Sequence, residues 1–323
     1  MLTKRIDFIF YRILAVISLV TFSSLVYTFY QQDEWMAHGH YYVEGLMGFT
    51  SRYSAIGLIA GGGRPIARLF QYAVFTQYPY NVGLISIFAI TFHLLNSILV
   101  YQIGYSLSKH RLISLVSALF FLTASSAHQA VTWVGSSIST VPSAFFALIS
   151  VWYYLSFLKK ERRRDLAISF ICLFISYFFK QTSIFLFLFY PLVYIIKSRI
   201  NLVSVKKSIT VHLVLFIFLL LVIVPTFLEL FVREQTSENI AASANPAVSL
   251  VHHTFFYPIN SLSQMYFFPG AMFSIAKMFA SDMTPLQIQT VGAKTTSSIF
   301  SSVLLVLVAL AYKRSTVLRK PIV

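Results

Sequence analysis

Cysteine is almost missing: Cys172 is the single one in 323 residues, so no intramolecular disulfide and no thiolate-based metal site can form. Charge is scarce as well. Asp, Glu, Lys and Arg make up 11% of the chain, against roughly 25% in a soluble domain. Acidic residues are the rarer sign, ten against 25 basic, for a net charge of +15. There is no internal repeat and no low-complexity tract. No apolar run alternates with period two, which excludes a transmembrane barrel, and no G-x-x-x-x-G-K-[ST] motif is present. What fills the chain instead is 57% hydrophobic residues, with 32 Phe and 19 Tyr. So few charges cannot cover the surface of a soluble fold of this size. The composition excludes a soluble enzyme, a disordered chain and a secreted disulfide scaffold. The class is an all-α polytopic membrane protein, with residues 1–323 forming one transmembrane domain.

A helix needs about 20 mainly apolar residues to cross a bilayer. Segments near 8–30, 82–107, 112–127, 138–158, 166–180, 182–197, 208–230 and 297–312 predict about eight spans. The first is too long for a signal-peptide core and lacks a small-residue cleavage site, so it stays as a span. Residues 166–196 would measure about 46 Å as one helix and carry basic residues on both flanks, which predicts a hairpin of two short helices with Lys180-Gln181-Thr182 at its tip. With both termini in the cytoplasm, most Lys and Arg fall on the cytoplasmic side. The exceptions are Arg52, Arg64, Arg68, Lys180, Arg233, Lys277 and Lys294. Acidic residues partition the other way, leaving Asp7, Glu161 and Asp165 inside. The positive charge is therefore a topology signal and needs no nucleic-acid partner; membrane lipids are the expected contact. Two long external loops result, 31–81 and 231–296, each expected to hold a helix lying in the interface, such as Ala271–Ala280.

The chemistry-bearing residues gather in and around the first external loop. Asp33 and Glu34 are adjacent carboxylates next to the first span. Such a pair can serve as a general base, a metal-ligand pair or a helix cap. Glu34 and His38 are four apart and could help hold a divalent metal, but no metal site and no cofactor are assigned. Arg64 and Arg68 lie one turn apart behind Gly61-Gly62-Gly63, with Pro65 suited to a helix's first turn. That arrangement fits a phosphate, or lipid headgroups. Lys180, held at or below the outer interface, is either functional or snorkels from a helix end. Ser86, His93, Asn96, Ser97 and Gly104 form one polar stripe on the second span, facing the bundle interior as a cavity wall or as interhelical contacts. His128 and Trp133 sit in the next external turn, where Trp133 suits the interfacial belt and His128 either enters a cavity or stays wet.

The order of these blocks resembles the GT-C superfamily of multi-spanning glycosyltransferases that use polyprenyl-phosphate sugars, most nearly the protein O-mannosyltransferases and their bacterial relatives. The matching blocks are Asp33-Glu34, Arg64-Pro65, His-Leu-Leu-Asn from His93 to Asn96, His-x-Ala-Val-x-Trp from His128 to Trp133, and Lys-x-Thr from Lys180 to Thr182 with a later Pro191. They cover roughly residues 1–200. Relatives often have Lys-Glu where this chain has Lys180-Gln181, and a basic residue where it has Gly135-Ser136-Ser137. The resemblance implies a bacterial cytoplasmic (inner) membrane and an extracytoplasmic site. Asp33 would be the catalytic base with Glu34 beside it, Arg64, Arg68 and Lys180 would bind the donor phosphate, and His93, His128 and Trp133 would line the substrate cavity. The donor is then a lipid-linked sugar and the acceptor a hydroxyl.

Other classes fit parts of the pattern. A surface-polysaccharide polymerase or ligase would lean on external arginines such as Arg52. A lipid-sugar transporter would show ionisable groups at mid-membrane, where this chain has little besides His93. A non-catalytic GT-C-like subunit would account for Gln181 and Ser136.

Overall fold

The computed structural model describes residues 2–27, 32–51, 64–77, 81–124, 130–197 and 202–221, with the single positions Met278 and Ser302. The chain divides into two compact units, Met1–Thr123 with His128–Gln235, and Ala124–Ala127 with Thr236–Val323. The elements named here all belong to the first. They are α1 (Leu2–Phe22), α2 (Gln32–Ser51), α3 (Pro65–Gln77), α4 (Val82–Ser108), α5 (Arg111–Thr123), α6 (Val134–Lys160), α7 (Arg163–Phe179), α8 (Phe185–Lys197) and α9 (Leu202–Val211). Among the described residues there is no strand.

Among the described residues, three stretches are long and apolar enough to cross a membrane: Ile6–Tyr27, Val82–Ser108 and Val134–Lys160. Arg111–Thr123 and Gln181–Lys197 are shorter apolar helices. The first stretch tightens into a 3-10 turn over Ser23–Tyr27, where Ser23 and Ser24 offer the backbone alternative hydrogen bonds. The hairpin expected over 166–196 is present: α7 stops at Phe179, Lys180 turns extended (φ −160°), and a 3-10 turn Gln181–Ile184 leads into α8. The segment expected at 112–127 is helical only to Thr123. After α9 the chain makes a turn and is helical again over 213–221. The expected span at 297–312, apart from Ser302, and the loop 231–296, apart from Met278, lie outside the described residues.

Local chemistry sets the helix ends. Asn81 Oδ1 accepts from Leu84 N at 3.0 Å and starts α4, a cap that contributes about 1 kcal/mol. Lys109 (φ 61°) and Glu161 (φ 53°) end α4 and α6 in the left-handed region, their N–H groups donating to Tyr105 O and Phe157 O.

The polar stripe of α4 is a set of interhelical contacts. Ser86 donates to Leu25 O (2.8 Å), His93 Nε2 pairs with Leu122 O (3.0 Å), and Asn96 donates to Val141 O (3.0 Å) beside Pro142 of α6. A methyl group on Gly104 would meet Ser114 Cα at 3.4 Å, so the bare glycine allows α5 to approach. Leu14, Phe22, Ala89, Tyr101 and Leu122 pack around this stripe.

The α6–α7 pair is held by serines. Ser143 donates to Ser176 O (2.9 Å) and Ser176 back to Ser143 O (2.8 Å). One heptad on, Ser150 and Ser169 repeat the exchange at 2.7 and 2.9 Å. All four serines are buried. Small side chains let the backbones approach, and each interhelical bond contributes about 0.6 kcal/mol in a membrane. Both exchanges share one antiparallel register, which carries on to set Thr140 opposite the 179–180 step.

The two ends of this helix bundle differ. At one, Asp7 accepts from Tyr101 (2.6 Å) and Arg111 (3.1 Å), tying α1, α4 and α5 together. Lys159 donates to Ser106 Oγ (2.7 Å) and Ser156 to Asp165 (2.7 Å) at the same end, amid Lys160 and Arg162–Arg164. At the other end lie the starts of α4 and α6, with α2 and α3 packed on them through Tyr41, Phe75, Val82, Ile85, Val134 and Ile138.

Candidate functional site

Helix α3 starts with Pro65 in its first turn and Arg64 as the residue before it. Arg64 C=O accepts from Arg68 N at 3.0 Å. Arg64 holds φ 43°, a conformation that costs a non-glycine residue of order 1–3 kcal/mol and persists where the surroundings fix it. Along α3, Arg64, Gln71 and Phe75 share one face, being seven and four residues apart. Gln71 is the hub of that face: Tyr41 OH of α2 donates to its Oε1 (3.3 Å), and its Nε2 donates to Gly135 O at the start of α6 (3.4 Å).

These contacts frame a cavity of about 330 Å³, at the small end of the roughly 300–1,000 Å³ typical of ligand sites. Arg64, Gln71 and Phe75 form one wall and Trp133, Gly135 and Ser136 another, with Ala37 of α2 and Lys180 completing it. The serine seam delivers Lys180. Its Nζ donates to Thr140 Oγ1 at 2.6 Å, Thr140 pairs with Ser136 Oγ at 3.0 Å, and its backbone C=O accepts from Ser143 Oγ at 3.3 Å. Partial burial, and then the nearby Arg64 guanidinium, hold the Lys180 ammonium below the usual lysine range. Two cations share the cavity, and among the described residues no carboxylate pairs with either. Trp133 adds a buried indole Nε1 with no hydrogen-bond partner among the described residues. Such a pocket suits an anion carrying hydroxyl groups: two positive charges, amide and hydroxyl partners, and aromatic walls.

Of the residues expected from the sequence, Arg64, Lys180 and Trp133 come together here. Arg68 is half-buried one turn along α3 and does not line the cavity. His93 is elsewhere: 2% exposed, bonded to Leu122 O and edge-on to Phe22. His128 and Arg52 lie outside the described residues. Asp33 and Glu34 fall in the first turn of α2, and their side chains lie outside what is described. By register, position 33 is one turn before Ala37 on the same helical face. His38 rests against Trp35 and Phe75 at ring distances of 6.2 Å each. Among the described residues no group of three His, Cys, Asp or Glu could hold a metal.

Gln71 and Thr140 were not expected. Gln71 had a faint signal, an amide two turns beyond Arg64 on the face that also carries Arg68. Thr140 had none, because its position beside Lys180 depends on the α6–α7 register. Compared with protein-family models, curated proteins and solved structures, the chain matches none.

Proposed function

We propose that the chain is a membrane glycosyltransferase that moves a sugar from a polyprenyl-phosphate donor to an acceptor hydroxyl at the extracytoplasmic face of a bacterial cytoplasmic membrane. The observation carrying the reading is that Arg64 and Lys180, distant in sequence, share one small cavity with no counter-carboxylate among the described residues. Positive-inside asymmetry supports the orientation, since the opposite end of the bundle gathers Arg111, Lys159, Lys160, Arg162, Arg163 and Arg164. The reading keeps both termini in the cytoplasm and about eight spans in all.

In the reaction, the acceptor oxygen attacks the anomeric carbon through an oxocarbenium-like transition state. The bond from that carbon to the phosphate oxygen breaks, and its electron pair leaves with the phosphate. Arg64 and Lys180 stabilise the growing charge on the phosphate. The acceptor proton goes to Asp33, one turn from the cavity wall at Ala37. Trp133 gives the sugar ring an amphipathic surface. On the other flank of α3, an apolar groove of about 460 Å³ between Phe70, Val74, Ile85 and Phe88 suits the donor's isoprenoid tail.

The test uses the full chain in proteoliposomes with a radiolabelled polyprenyl-phosphate hexose and a hydroxyl acceptor. Wild type should transfer the label. Asp33→Asn should bind donor and lose transfer by at least about 100-fold, the usual scale for a general base. An unchanged rate would remove Asp33 from the mechanism. Donor binding without transfer in the wild type would favour a non-catalytic carrier.

A further inference from the structure

The first unit holds a second cavity at the opposite, basic end. It measures about 610 Å³ and opens between the end of α6, the start of α7, the end of α8 and α9. Three cations from three helices line it: Arg163 of α7, Lys197 of α8 and Lys207 of α9. Among the described residues Glu161 is the single carboxylate at its wall. Among the described residues, none of these three cations makes a side-chain hydrogen bond or ion pair, and all three are exposed. The remaining wall is apolar, formed by Phe157, Leu166, Phe170 and Tyr194 among others.

We propose that this cavity binds the phosphate headgroup of an anionic phospholipid, independently of the sugar-transfer reading. Three features point the same way. The three cations and one carboxylate leave a net positive site matched to a phosphodiester. The first turn of α7 forms a wall through Arg163, Leu166 and Ala167, and its cap residue Arg162 supplies no side-chain acceptor. The positive end of the dipole of this 17-residue helix therefore lies at the cavity wall. The aromatic and aliphatic wall adjoins the charges, which suits the glycerol backbone and first acyl carbons and gives a soluble phosphate ion nothing. Long Lys and Arg stems can extend along such a wall while their heads reach the headgroup plane.

The experiment is native mass spectrometry of the full chain released from nanodiscs of phosphatidylcholine containing a titrated fraction of phosphatidylglycerol. The comparison variants are Arg163→Gln/Lys197→Gln/Lys207→Gln and a control set, Lys109→Gln/Lys160→Gln/Lys206→Gln, which removes the same charge from the same end without touching the cavity. Each cation near an anionic headgroup is worth about fivefold in affinity, so the cavity triple should weaken phosphatidylglycerol retention about a hundredfold. The control lysines do not line the cavity, so that set should weaken retention clearly less than the cavity triple does. Equal loss in both sets would overturn the proposal, since the effect would then be general surface attraction. If the cavity triple fails to fold, single Lys197→Gln should lower retention about fivefold, and no change would overturn it. A further arm adds inorganic phosphate to wild type in the nanodiscs that contain phosphatidylglycerol. Phosphate adducts that match those of the lipid, and that displace it, would assign the cavity to a free anion instead.

Discussion

Lys180→Ala separates a binding cation from a structural one. The ammonium is partly buried, has a hydroxyl partner in Thr140, and faces another cation in Arg64. Removing it takes away a costly charge and relieves repulsion, so the fold should not weaken. Binding should suffer. A charge-assisted hydrogen bond to a phosphate contributes about 1.5–3 kcal/mol, so donor affinity should fall about 10- to 100-fold. Lys180→Arg should retain part of it, because the charge remains while the bond to Thr140 changes. The assay pairs microscale thermophoresis with a polyprenyl-phosphate sugar and thermal unfolding in the same detergent. Affinity loss with an unchanged or raised midpoint fits the reasoning. Unchanged affinity with a midpoint lowered by the equivalent of more than about 1 kcal/mol would refute it, because Lys180 would then be a structural cation bridging α6 and α7.

Thermal unfolding against pH gives a second reading of Lys180. Its folded-state value is lowered, so its penalty is fully present at neutral pH and is released as pH rises through that value toward the ordinary lysine range; wild type should gain on Lys180→Ala as pH rises, and a constant difference would contradict this. Ser143→Ala/Ser176→Ala removes two interhelical bonds and should cost about 1 kcal/mol of stability while weakening donor binding severalfold, because it loosens the register that presents Lys180; thermal unfolding and donor titration check both. His93→Ala should destabilise the bundle by about 1–3 kcal/mol and change donor affinity less than twofold, since His93 contacts Leu122 and Phe22 rather than the cavity; a large binding loss without destabilisation would return it to the site.

Helix type and rough span position were legible wherever hydropathy is strong, and the α7–α8 hairpin was legible because its length and flanking charges left no other solution. The α4 stripe announced that Ser86, His93 and Asn96 face inward. It could not announce which backbone carbonyls they reach, and the same pattern would suit a cavity wall. The serine seam was hidden because serine is near neutral in hydropathy and its meaning depends on the partner helix. With the seam hidden, the meeting of Lys180 and Thr140 was hidden too. Arg64 was recognisable from Arg-Pro at a helix start, but nothing in that dipeptide signals its positive φ. The stretch Gly135-Ser136-Ser137 carries no charge of its own, yet Lys180 brings an ammonium to it through Thr140.

In the proposed reaction the Arg64–Lys180 cavity receives the phosphate end of a lipid-linked sugar. Photocrosslinking tests it most directly, with a diazirine on the sugar of a polyprenyl-phosphate hexose, the full chain in nanodiscs, and peptide mapping of the adducts. The account predicts labelling at the start of α3, at Trp133–Ser136 and around Lys180, competed by unlabelled donor and lost in Arg64→Ala/Lys180→Ala. Adducts confined to the basic end of the bundle, or undiminished in that double variant, would contradict it.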